Sequence, residues 1–263
     1  MEFIKILFKN RKLAFSLGKN DFKNRFANTS LGSVWGFLQP FVFMFTYVIV
    51  FQYILKTGSA GNDPYVVWFI PGMVMWQCIN DTVISASNSI RNYSYLVKKV
   101  VFPVDIIPVI SIIASGFVAI FLFVVAIAVG IIFKYVPNFL QIIYIIIAAY
   151  AFLIAFTRFT SAVTTLVPDF SQLLTIAMQL FFWFTPVVWN LSMLSNHPLI
   201  LKIMKCMPFN YLVSGFRDAF ISSNIVTEGH GIYTIVFWII TIVMFVWGNY
   251  TFKKNKKDFA DVL

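Results

Sequence analysis

The chain has 263 residues, of which 60% are hydrophobic, 19% aromatic and 11% charged, with a net charge of +10 and a mean hydropathy of +0.83. A soluble domain carries about 25% charged residues and could not keep this much apolar surface dispersed, so a soluble fold is excluded. The basic residues gather beside apolar runs, which favours the inner leaflet of a membrane over nucleic acid as the partner of the charge.

The chain opens with MEFIKILFKNRK, charged throughout, without the apolar core and small-residue cleavage site of a signal peptide. Over residues 3–26 the apolar positions Ile4, Leu7, Phe8, Phe15, Phe22 and Phe26 fall close to one helical stripe, broken around Arg11–Lys12, with lysines between. This predicts an amphipathic helix lying in the inner interface. Gly32, Gly36 and Pro40 would let the chain turn into the bilayer, with Trp35 at the headgroup boundary.

A spanning helix needs about 20 mostly apolar residues. Six runs qualify: 34–55, 65–85, 104–133, 139–157, 173–191 and 232–252. The third is long enough to tilt or project. No internal repeat or linker interrupts them. The expected fold is all-α: a cytoplasmic interface helix over 1–31, a six-span membrane domain over 32–252, and a basic tail over 253–263.

Orientation follows from lysine and arginine. With the N-terminus inside, the inner segments hold Lys5, Lys9, Arg11, Lys12, Lys19, Lys23, Arg25, Arg91, Lys98, Lys99, Arg158, Lys253, Lys254, Lys256 and Lys257. Lys56, Lys134, Lys202, Lys205 and Arg217 fall outside. Fifteen against five places both termini in the cytoplasm.

Two segments do not span. Residues 90–103, IRNYSYLVKKVVFP, are basic and aromatic, and read either as a short helix along the inner surface or as an ordinary positive-inside loop. Residues 190–231 hold two short apolar patches split by Pro208, which suits two short helices dipping into the outer leaflet under cover of protein or water.

Catalytic signatures are missing. The sequence has no GxxxxGK[ST] phosphate loop, no HExxH, no GxSxG and no carboxylate pair. His197 and His230 have no acidic or thiol partner at ligand spacing, and Cys78 and Cys206 read as free thiols, so no metal site is expected. Asp81, Asp105 and Asp169 lie toward inner ends of spans, and no span carries a charge at its centre, against a proton antiporter or voltage sensor. What the spans do carry is aromatics, including Phe41, Tyr47, Trp76, Phe181 and Phe184. These suit interfacial belts and lipid-facing surface, or a path along which rings stack against sugar C–H faces.

The stretch DFKNRFANTSLGSVWGFLQP, residues 21–40, resembles the N-terminal signature of ABC-2 type permeases that export polysaccharides, with matches at Asp21, Lys23, Arg25, Phe26, Ser30, Leu31, Gly32, Trp35 and Pro40. PYVVWFIPGMVMWQ (64–77) is similar to that family's second span, NSIRNYSYLVKKVVFPVDIIP (88–108) to its first coupling loop and third span, and FFWFTPVVW (181–189) to the end of its fifth. MPFNYLVSGFRDAF (207–220) resembles the family's pattern before the last span, with Pro208–Phe209–Asn210 where many members have Asn-Pro, and the closing FADVL also looks familial.

The resemblance covers essentially the whole chain. It implies the permease half of an ATP-driven exporter in a bacterial cytoplasmic membrane, working as a homodimer with two copies of a separate ATPase that carries the ATP and Mg. The cargo it implies is a lipid-linked polysaccharide on an undecaprenyl-pyrophosphate type carrier: O-antigen, teichoic acid, capsule or a rhamnose-rich wall glycan. Tyr93, Tyr95, Lys98, Lys99, Arg158 and Asp169 would couple to the ATPase, and Lys19, Lys23, Arg25 and Trp35 would meet the lipid pyrophosphate. Phe41, Tyr47, Trp76, Phe181 and Phe184 would line the glycan path, with Asn210, Tyr211 and Arg217 in the outer re-entrant segment. Two rivals stay open: a drug or antibiotic exporter of the same fold, and a membrane acyl- or glycosyltransferase, which would need a catalytic cluster not found here.

Overall fold

The computed structural model describes residues 2–54, 64–99, 102–221 and 227–263, and every regular element among them is helical. Lys56 lies outside the described residues, as does the side chain of His230.

The N-terminal segment is two helices, α1 (Glu2–Lys9) and α2 (Arg11–Asn24), hinged at Asn10. The face that packs differs from the expected stripe. Phe3, Ala14 and Gly18 are buried, whereas Phe8 and Phe15 are exposed. Small residues win because α2 lies against another helix: a Cβ at Gly18 would collide with Ile113, and Ala14 packs on Ile106 and Ile110.

A turn leads to Gly32, whose φ of +53° is a left-handed conformation that favours glycine. A helix then runs through a 3-10 turn, α3 (Trp35–Val48) and a π turn (Ile49–Ile54). Contrary to expectation, Pro40 does not make the corner; it sits inside α3. Gly36 acts by admitting the Phe26 ring, which a Cβ would strike.

Among the described residues, four helical stretches are long and apolar enough to cross a membrane: Gly32–Gln52, Val104–Ile132, Phe139–Leu166 and Gly231–Asn255. The last three contain α7 (Ile107–Ile132), α8 (Phe139–Leu166) and most of α12 (Thr227–Asn255). α4 (Tyr65–Ser87) is also long, about 34 Å at 1.5 Å per residue. It is the central helix, with Phe69, Met73, Val74, Met75 and Ile79 fully buried against α7, α8 and α11. Its polar residues Gln77, Asn80 and Asp81 lie off this packed face, half-buried or, at Asp81, exposed.

Two boundaries depart from expectation. α8 continues to Leu166 rather than stopping at 157, and its buried hydroxyls are satisfied by bonding back to its own carbonyls: Thr157 to Leu153 at 2.7 Å and Thr165 to Ser161 at 2.7 Å. α9 (Phe170–Phe184) ends before Pro186, and its 15 residues reach only about 22 Å against a hydrocarbon core of about 30 Å. Residues 90–103 begin with two single-turn helices, α5 (Ser89–Asn92) and α6 (Ser94–Val97). Pro208 separates α10 (Pro198–Cys206) from α11 (Pro208–Ile221), the pair of short helices expected there. The chain closes with α13 (Phe259–Val262), whose Phe259 packs with Phe252, Leu96 and Val97 over the underside of α6.

Candidate functional site

The C-terminal ends of α2 and α4 and the N-terminal part of α7 meet at Arg25. Its guanidinium lies 3.2 Å from the Asp21 carboxylate one turn back and 3.5 Å from that of Asp81 on α4. It also donates to Ser115 Oγ at 3.2 Å and to the Ser111 carbonyl at 3.3 Å on α7. Ser115 is in turn 3.0 Å from Ser85 Oγ. The Tyr93 hydroxyl lies beside Asp21; burial first, and this carboxylate next, push that phenol above its usual range. One short path thus joins the turn between α5 and α6, the N-terminal helix and two core helices.

Above this junction a cavity of about 890 Å³ opens between α3, α4, α7 and α9. α3 contributes Gln39 and Thr46, seven apart; α4 contributes Gln77, Asn80 and Asp81 at i, i+3 and i+4; α9 contributes Thr175 and Gln179 at i, i+4. Each spacing is one helical face. Trp35 and Phe43 supply aromatic wall, and Val118, Ala119 and Leu122 of α7 apolar floor.

A second polar centre ties the chain ends together. Arg158 on α8 is 3% exposed, and its Nη2 lies 3.1 Å from Asp105 Oδ1. The Phe3 and Phe252 rings sit over the guanidinium carbon at 3.9 and 4.2 Å. Lys256 closes on the other Asp105 oxygen.

A third centre lies at the opposite end. Arg217 of α11 donates to the Trp68 carbonyl at 2.9 Å, and to the Pro186 and Val187 carbonyls at 2.8 and 3.1 Å. The segment after α9 has left helical geometry, which turns the Pro186 and Val187 carbonyls toward the guanidinium fork, while the Trp68 carbonyl on α4 lies within reach of its Nε. Gly72 leaves room for it.

Residues 12–221 match the ABC-2 type transporter family. The chain belongs to that family. Three curated proteins are similar over nearly full length, each named O-antigen export system permease protein RfbA. One from Klebsiella pneumoniae is 23% identical over 254 residues, covering 92% of each chain. One from Myxococcus xanthus is 19% identical over 260 residues, covering 98% of each. A second Klebsiella pneumoniae protein is 24% identical over 251 residues, covering 92% of each.

In this ABC-2 transporter the expected coupling residues separate. Tyr95, Lys98, Lys99 and Asp169 are exposed, Tyr93 is half-buried in the junction, and Arg158 is enclosed. Arg158 is therefore no surface contact: its guanidinium is consumed by Asp105 and two rings. Lys19 and Lys23 are exposed, but Arg25 is not a free cation, since two carboxylates already face it. Of the aromatics, Tyr47, Trp76 and Phe181 converge: Tyr47 and Trp76 both touch Phe182, and Trp76 and Phe181 both touch Phe209. Phe41 and Phe184 face outward, 44% and 51% exposed. Asn210 and Tyr211 are buried with Arg217, and the Tyr211 hydroxyl lies 2.9 Å from that of Tyr144. Both cysteines are free thiols, and no metal-binding cluster occurs among the described residues.

Sequence reasoning missed the polar faces of the cavity and the Asp105–Lys256 contact. The first was readable as Gln77, Asn80 and Asp81 recurring at helical spacing inside an apolar run. The second, between residues 151 apart, leaves no local signal.

Proposed function

We propose that this chain is the permease subunit of an ATP-driven exporter that moves a lipid-linked polysaccharide from the cytoplasm to the outer face of a bacterial cytoplasmic membrane. The observation that carries this reading is similarity over 92–98% of the chain to three O-antigen export permeases. Family membership alone leaves the cargo open to a drug; the full-length likeness to O-antigen permeases favours a glycan.

The working unit is a homodimer with two copies of a separate ATPase, six spans per subunit and both termini cytoplasmic. α4 and α9 supply the two spans beyond the four fully apolar stretches, α9 with the help of the segment after Thr185. The exposed face of α12 is mostly aliphatic (Ile235, Ile239, Ile242, Val246), as lipid contact favours. α3 and α9 instead expose Gln39, Thr46 and Gln179 among aromatics, which suits a watery path and a second copy better than lipid. The exposed Tyr95, Lys98, Lys99 and Asp169 dock the ATPase, which holds the ATP and Mg. Lys19 and Lys23 meet the pyrophosphate of an undecaprenyl-type carrier. Movement of the α5–α6 turn reaches the cavity through Tyr93, Asp21, Arg25 and Asp81.

The test is ATPase activity of the purified chain, alone and with the ATPase encoded beside it, with undecaprenyl-linked glycans added to each. A silent chain and a complex stimulated by one glycan support the proposal and identify the cargo. An ATPase that neither co-purifies nor responds sinks it.

A further inference from the structure

Three helices turn a polar face into one cavity. Gln39 stands on α3, Gln77 and Asn80 on α4, and Gln179 on α9, and all line the same space of about 890 Å³. Amides in helices of this hydropathy are unfavourable against lipid and find no use there. Ligand pockets span about 300–1,000 Å³ and combine apolar wall with a few converging polar groups, as here.

The charge of the site decides the ligand class. The nearest cation, Arg25, faces both Asp21 and Asp81, so the inner end of the cavity carries one positive group against two negative ones. An anion gains nothing from that balance. Side-chain amides each offer a carbonyl acceptor and an NH2 donor, the complement of vicinal hydroxyls. Trp35 and Phe43 add ring faces for C–H contact.

We infer that this cavity is a binding subsite for neutral sugar rings, held by Gln39, Gln77, Asn80 and Gln179 against Trp35 and Phe43, and that the pyrophosphate of a carrier lipid stays outside it. The inference rests on the exporter reading for its place in transport. It departs from that reading in separating sugar from phosphate: amides take the first, exposed lysines of α2 the second.

The experiment uses the full permease–ATPase complex in lipid nanodiscs. Saturation-transfer NMR is recorded with methyl trisaccharides of mannose, galactose, glucose, rhamnose and N-acetylglucosamine, and with inorganic pyrophosphate as competitor. At least one trisaccharide binds, pyrophosphate does not displace it, and Gln77→Leu and Gln179→Leu each weaken it about 3- to 10-fold, the worth of one or two hydrogen bonds. Gln179 is exposed, so its leucine variant keeps the fold and carries the test should Gln77→Leu unfold. No binding by any trisaccharide, displacement by pyrophosphate, or unchanged affinity in the variants overturns the subsite. Surface glycan of a deletion strain is measured in parallel. Glycan lost with no sugar bound leaves the exporter standing and removes the subsite; glycan retained removes the exporter, and the NMR result still decides the subsite.

Discussion

Arg158 Nη2 lies 3.1 Å from Asp105 Oδ1, joining α8 to the start of the Val104–Ile132 stretch at a point almost closed to solvent. Removing one partner of such a pair strands the other charge and costs about 3–5 kcal/mol. Arg158→Met and Asp105→Asn are each expected to lower the thermal midpoint in detergent strongly, and the double variant to recover part of the loss. Equal and additive losses would show that the two residues act independently.

Lys256 is 40% exposed and touches the same carboxylate. Its contribution to stability is expected to stay within about 1 kcal/mol. The effect of Lys256→Ala is local: the tail beyond Asn255 loosens, and limited trypsin digestion of the C-terminus accelerates while the midpoint hardly moves. Unchanged digestion would mean that Phe252 and Phe259 hold the tail unaided.

Arg217 serves three carbonyls with one planar fork. Arg217→Lys keeps the charge but satisfies fewer of them, and each stranded carbonyl costs about 1–3 kcal/mol. Loss of stability close to that of Arg217→Leu is expected, read as melting in detergent. Gly72→Ala should resemble it, because a Cβ there displaces the guanidinium.

Tyr93→Phe removes only the hydroxyl that lies beside Asp21. Stability is expected to fall by about 0.5–1.5 kcal/mol. Transport should suffer more, with more ATP hydrolysed per glycan exported by the reconstituted complex. A normal ratio would remove Tyr93 from the coupling path.

Gly36→Val places a side chain against the Phe26 ring and forces the corner between α2 and α3 open. Coupling is again expected to weaken, in the same assay, with assembly of the complex retained. Normal export would show that the corner is not a mechanical joint.

The long apolar helices were legible because their composition leaves no alternative, and Pro208 marked the break between α10 and α11. Other boundaries were hidden by context. Residues 158–166 fall outside the apolar run 139–157, yet they continue α8, where Ser87 meets Thr160 at 2.6 Å and Arg158 has a buried partner. The N-terminal stripe pointed to phenylalanines, whereas close approach of α2 to α7 selects Ala14 and Gly18. Arg158 and Arg217 both read as boundary charges, because a count of basic residues carries no information on which of them an acid or a set of free carbonyls will enclose.

The enclosure of Arg158 has a consequence for biogenesis. Its neighbours come from the first helix, the turn before α7, and the end of α12 with the residue just past it: Phe3, Asp105, Phe252 and Lys256. A ribosome makes these in order, so the arginine enters the membrane long before the ring and amine that finish its surroundings exist. The surroundings of this charge close only when the final dozen residues arrive, so a chain cut short there lacks the Phe252 ring and the Lys256 amine and leaves the Arg158–Asp105 pair half-covered.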